Sequence, residues 1–135
     1  MMKKNFTIDK NVAIQQNDGY YDLHNCYEFE SLSIVEEGQK LKLAFKPHKT
    51  YGEGLPKVIL AFSQVDFLLL SSLCGTTKTA GLDEIGYKNY DDFNDSYIHE
   101  EKFYNEKSHI HIRMHNHDFI RVHSKTATVL VDDNA

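Results

Sequence analysis

With 135 residues, 41% hydrophobic and 26% charged, the chain can bury one core but is too short for two ordinary domains. Eight Tyr, eight Phe and many Ile, Leu and Val exclude intrinsic disorder, because their burial offsets the entropy of ordering the backbone. The net charge of -5 argues against nucleic acid as a partner, whose phosphates need clustered Lys and Arg.

The longest apolar run, residues 67–70, is far below the ~20 residues of a membrane helix, so no membrane association is expected. Met1-Met2-Lys3-Lys4 is followed by Asn5, Thr7 and Asp9 instead of an apolar stretch, so a secretory leader is not expected either. Two cysteines, Cys26 and Cys74, cannot make a disulfide framework, which points to a reducing cytoplasm.

Along the chain, residues 1–19 are polar with Phe6, Ile8, Val12 and Ile14 as scattered anchors, and Asn17-Asp18-Gly19 marks a turn. Residues 26–35 predict a strand rich in aromatic and β-branched side chains. Tyr27 and Phe29 share one face and Leu32 and Ile34 the other, so a bulge near Ser31 is expected. After the turn Glu36-Glu37-Gly38, residues 39–46 alternate cleanly, with Leu41, Leu43 and Phe45 inward, and complete a hairpin.

Residues 47–56 form a loop; its Tyr51-Gly52-Glu53-Gly54 lacks the third glycine and the helix of a phosphate-binding motif. Residues 57–73 are apolar on both faces, which predicts central, doubly covered strands. Residues 74–81 form a Gly/Thr loop, and residues 82–88 suit a helical turn or a short strand. Strands are expected over 108–114, with Ile110, Ile112 and Met114 inward and His109, His111 and Arg113 outward, and then over 119–123 and 126–131. The turn between the first two is Asn116-His117-Asp118. The expected architecture is mainly β, with α+β as its variant. It is a single-domain antiparallel β-sandwich or strongly curled sheet of about seven or eight strands with one or two short helices.

Charge is concentrated. Between Asp83 and Glu106 lie eight acids and only Lys88 and Lys102, whereas the remaining chain holds 13 bases and 12 acids. Tyr87, Tyr90, Phe93, Tyr97, Phe103 and Tyr104 are interleaved with those acids. Aromatic side chains dominate interface energetics, and a field of one sign steers a partner of the other. Tyr90, Asp91, Asp92, Asp95, Tyr97, Glu100 and Glu101 are therefore the candidate partner-binding residues. A neighbouring basic hairpin with Lys107, Arg113, Arg121 and Lys125 offers internal neutralisation as the competing use of these acids.

His109 and His111 would project from one strand face as metal ligands do, which makes a metal-binding domain or metalloenzyme the alternative. A third ligand and orienting partners are not evident near them. Cys74 has no local signature of a paired base, and Asp91-Asp92 with Asp95 lack the glycine of a calcium loop. No catalytic site and no cofactor are expected.

Residues Leu23-His24-Asn25-Cys26-Tyr27-Glu28-Phe29, then Leu41-Lys42-Leu43-Ala44-Phe45 and Val58-Ile59-Leu60-Ala61-Phe62, resemble the opening and paired strands of small bacterial β-rich immunity proteins. Ile110-His111-Ile112-Arg113-Met114 with His117-Asp118-Phe119-Ile120-Arg121-Val122 is similar to the closing hairpin of some contact-dependent inhibition immunity proteins. The resemblance implies a cytoplasmic non-enzyme that binds and occludes a cognate toxin domain, for instance a nuclease. It transfers no binding residue, because these families recognise unrelated toxins.

Overall fold

Period-two alternation of large apolar side chains gives each long strand one face that must leave water. The computed structural model describes residues 1–71, 81–94 and 97–132. Their strands in chain order are β1 (Lys3–Lys4), β2 (Thr7–Asp9), β3 (Ala13–Gln16), β4 (Gly19–Asp22), β5 (Tyr27–Val35), β6 (Lys40–Pro47), β7 (Lys57–Leu70), β8 (Leu82–Asn89), β9 (Ser108–Met114) and β10 (Phe119–Asp132). Two 3-10 turns, Glu36–Gly38 and Glu101–Phe103, are the only helical elements among the described residues.

The main sheet runs β5-β6-β7-β10-β9-β8 with antiparallel neighbours throughout. Its spine is the pairing of β7 with β10, from Lys57 opposite Asp132 to Leu70 opposite Ile120. β9 uses only residues 119–122 of β10, and the same side of β10 accepts β1 in parallel farther on, with Lys3 opposite Thr126. β2, β3 and β4 form a second, small antiparallel sheet.

Tyr27 and Phe29 of β5 share one core with Ile85 and Tyr87 of β8, although these strands end opposite sides of the sheet. The main sheet is therefore strongly curled. Sheet twist favours this, and three register shifts add to it by bending the strands locally. The first lies between Phe29 and Ser31 in β5, the second between His123 and Ser124 where β10 meets β7, and the third between Leu82 and Glu84 where β8 meets β9. The first is the bulge the sequence predicts. Beyond it Leu32 packs against the core while Ile34 stands exposed.

The small sheet places Ile8 and Ile14 in the same core, and Phe6 joins them from the link between β1 and β2, so two of the scattered N-terminal anchors belong to strands that the sequence does not announce. Residues 82–88 resolve as strand, and the two strands expected over 119–123 and 126–131 are one, since the bulge bends the chain without interrupting pairing. β7 is central as expected, but Ile59 and Ala61 on its second face are only half-buried. No described helix is long and apolar enough to cross a membrane.

β8 is locked from outside by close backbone approach. Asn11 Nδ2 donates to the carbonyls of Ile85 (3.1 Å) and His99 (3.2 Å), and Ile85 N–H donates to Asn11 O (2.9 Å). Gly86 makes this possible: a Cβ there would lie 2.4 Å from Asn11 Nδ2, 2.4 Å from Ile98 Cγ2 and 2.5 Å from His99 O. Gly86→Ala is expected to destabilise the fold by about 1–3 kcal/mol through overpacking, read as a lower urea midpoint at unchanged m-value.

Candidate functional site

The acidic aromatic segment leaves β8 at Asn89, and its residues 89–94 lie over the outer face of β8, β9 and β10; the residues from 97 onward lie at the sheet edge. There His99 bridges Tyr87 through N–H to O contacts of 2.7 and 3.0 Å. The Glu101–Phe103 turn follows, and the chain enters β9 at Ser108.

Two buried cations fix this path. The first is Arg121, 2% exposed on β10. Its Nε donates to His109 Nδ1 (3.0 Å), Nη1 donates to Asp92 O, and Nη2 donates to Asn89 O (2.9 Å) and Tyr90 O (3.3 Å). Phe93 lies over the guanidinium at 4.3 Å. The second is Lys4 of β1. It pairs with Glu101 at 2.8 Å, donates to Tyr87 Oη, and sits over the rings of Tyr104 (4.2 Å) and Tyr87 (4.6 Å). Tyr87 Oη in turn donates to Glu101 (2.6 Å), whose carboxylate also accepts from Ile8 N–H (2.8 Å). Burial drives the Lys4 ammonium below its ordinary pKa, against the pull of Glu101, and pushes the Tyr104 phenol up to about 12.

The predicted partner-binding residues separate accordingly. Tyr90 and Tyr97 are 49% and 64% exposed, and Asp91 and Glu100 are exposed acids. Asp92 is half-buried; the Asn94 N–H, which donates to it at 2.9 Å, is the main reason its carboxyl lies below the usual range, with Lys88 and Arg121 adding to it. Glu101 is engaged within the fold: its carboxylate accepts from Lys4, Tyr87 and the Ile8 N–H, with its side chain still 28% exposed. Asp95, like Cys74, lies outside the described residues. Phe93 and Phe103, which the sequence places among the interleaved aromatics, are 62% and 55% exposed and extend the surface. Tyr97, His99 and Phe103 form a continuous edge, with ring centroids 5.3 and 5.5 Å apart.

Beneath the segment, the outward face expected for β9 is buried. His109 and His111 are 6% and 4% exposed, because the 89–94 stretch and the side chains of β7 and β10 cover them. His109 accepts from Arg121 and packs on Phe67 at 4.5 Å, while His111 stacks on Phe119 at 5.3 Å and 11°. Desolvation, reinforced by neighbouring cations, lowers their pKa values to about 4 and about 3. With Arg121 occupying His109 Nδ1 and cations on several sides, this pair is a poor seat for a metal ion. No group of three His, Cys, Asp or Glu among the described residues could hold one.

A separate cleft, of about 730 Å³, lies between His24, Cys26, His48, Tyr51 and His115. His24 Nδ1 is held by the carbonyls of Leu82 (2.9 Å) and Asp83 (3.0 Å), and desolvation raises the Cys26 thiol, leaving it a poor nucleophile. No sequence signal could have assembled these residues, which come from separate turns and strand ends.

Comparison with protein-family models, with curated proteins and with solved structures finds no match.

The buried histidines give the fold a defined acid response. Their imidazoles are neutral when folded and take up protons at the ordinary value of about 6.5 when unfolded. Stability is therefore complete above pH ~6.5 and falls as pH drops toward ~4, by up to about 1.4 kcal/mol per pH unit for each histidine. His111→Phe is expected to flatten this dependence in urea titrations between pH 4.5 and about 7.

Proposed function

We propose that the chain is a non-enzymatic, cytoplasmic protein-binding module of the bacterial immunity type, which docks on a toxin domain and occludes its active site. The observation that carries this reading is the exposure of Tyr90, Phe93, Tyr97 and Phe103, at 49–64%, on one segment tied by Arg121 through the backbone carbonyls of Asn89, Tyr90 and Asp92 and by Lys4 through the Glu101 carboxylate. Large aromatic side chains on a backbone already held in place lose little conformational freedom on binding, which is how such residues become interface anchors. Asp91, Glu100 and Glu106 stand exposed around them and favour a basic partner surface such as a nuclease cleft. The immunity resemblance of the strand motifs supports the same class of partner.

The test is co-expression with a toxic domain encoded beside this gene, followed by purification of a 1:1 complex and a protection assay. Asp91→Lys with Glu100→Lys is expected to slow association about tenfold at low salt and to flatten its salt dependence. Tyr97→Ala with Phe103→Ala is expected to speed dissociation, by at least about tenfold if these are hot-spot residues. Unchanged kinetics in both double variants would place the interface elsewhere.

A further inference from the structure

At the edge of the main sheet, where His99 bridges to Tyr87 of β8, lies a pocket of about 500 Å³ lined by Tyr97, His99, Phe103, Glu84, Glu100 and Lys102. Its aromatic side chains are open to solvent. Tyr97 and Phe103 are each more than half exposed and flank His99, with ring centroids 5.3 and 5.5 Å from it. Its base is fixed: Ile98 is buried, and Asn11, also in the lining, holds the His99 carbonyl at 3.2 Å. The rings are therefore reachable from outside, on a backbone already tied in place.

The chain's own cations show what such a lining holds. Lys4 sits over the rings of Tyr104 and Tyr87 with the Glu101 carboxylate at 2.8 Å, and Arg121 lies 4.3 Å from the Phe93 ring with carbonyl oxygens around its fork. Each site joins an aromatic face to oxygen acceptors, so that cation–π attraction adds to charge-assisted hydrogen bonding. The pocket repeats this combination on the outside, with three rings and the carboxylates of Glu84 and Glu100. Glu84 is engaged by Arg113 at 3.1 Å, whereas Glu100 is exposed and makes no ion pair with a described residue. Residues 89–101 contain five acids and no Lys or Arg. The lining's own ammonium, Lys102, already lies 5.2 Å from the Phe103 centroid. It is exposed and pairs with no carboxylate among the described residues, so a better-matched cation can take its place.

We propose that this pocket takes an arginine side chain of a protein partner, its guanidinium plane against the Phe103 and Tyr97 rings and its N–H fork on the Glu100 carboxylate. Arginine suits the lining better than lysine does. Its planar head stacks on aromatic faces, is more weakly hydrated than an ammonium, and meets a carboxylate through two parallel hydrogen bonds. The inference rests on the docking reading above and names what that partner must offer: an arginine raised from a basic surface, entering among acids of opposite sign. Lys102 competes for the same ring, so removing its ammonium strengthens the site.

The experiment uses the full chain with N-acetyl-arginine N-methylamide as probe, the citrulline counterpart as its neutral isostere and the lysine counterpart as a cation without the planar fork. Binding is followed through the ring resonances of Tyr97 and Phe103. The arginine probe is expected to bind saturably with a Kd of about 1–10 mM, the lysine probe about threefold more weakly and the citrulline probe at least about tenfold more weakly. Phe103→Leu and Glu100→Gln are each expected to weaken arginine binding at least about threefold, and Lys102→Ala to strengthen it about twofold. All three positions are exposed. Should a variant still fail to fold, the contrast of arginine with citrulline on the unaltered chain decides. In the toxin complex, one arginine of the toxin domain is expected to lose its effect on dissociation in the Phe103→Leu background. No saturable binding of the arginine probe, equal binding of the citrulline or lysine probe, undiminished binding by Phe103→Leu, or a complex in which no arginine couples to Phe103 would each overturn the proposal. The two readings fail separately. A toxin complex formed by a chain that binds no arginine probe strikes the pocket alone. A chain that binds the probe but neither complexes with nor protects against the neighbouring toxin strikes the docking reading and keeps the arginine site.

Discussion

The candidate surface depends on one buried guanidinium. Taking Arg121 out of water costs several kcal/mol unless its planar fork of donors is met, and the fold meets it with His109 Nδ1 and the backbone carbonyls of Asn89, Tyr90 and Asp92. Carbonyl oxygens do this work and the neighbouring carboxylates do not. That choice of acceptor lets the segment be anchored while Asp91 still faces solvent. Had the acids themselves closed on the arginine, the same chain would present a neutralised hairpin with nothing offered outward.

Lys4 provides the matching constraint at the far end. It belongs to a two-residue strand that survives only because β10 outruns β9 and leaves edge for parallel pairing. Its ammonium then reaches Glu101, Tyr87 and the Tyr104 ring, tying the N-terminal strand to a segment about a hundred residues later in sequence. The two tethers hold the backbone carbonyls of Asn89, Tyr90 and Asp92 at one end and the Glu101 carboxylate at the other, whereas Tyr90, Phe93, Tyr97 and Phe103 stay exposed. A surface built in this way is coupled to fold stability: loosening β10 would also release the segment that it holds.

Covering the outer face has a chemical consequence for β9. The side chains that alternate away from the main core meet a second, polar interior, where Lys88, His109, His111 and Arg121 lie together. Three are satisfied by carbonyls or by one another, and His111 is not. Desolvation by burial, reinforced by the neighbouring like charges, keeps the two imidazoles neutral. The protein thus holds two interiors on the two sides of one sheet, one hydrocarbon and one cationic, and among the described residues the orphaned His111 nitrogens lie in the second.

Local pattern decided much of this protein. Leu41, Leu43 and Phe45, Val58, Leu60 and Phe62, and Ile110 and Ile112 alternate with period two and all face the core, and the double facing of Tyr27–Phe29 against Leu32 called for a bulge that is present. Such features are legible because a strand's side-chain period depends on neighbours along the chain alone. The cover laid over His109 and His111, the pairing of Glu101 with Lys4 and the carbonyl cage around Arg121 were decided by tertiary structure. Each depends on which distant segment crosses a face that periodicity marks merely as polar, and alternation carries no information about whether water or another stretch of chain lies on that side.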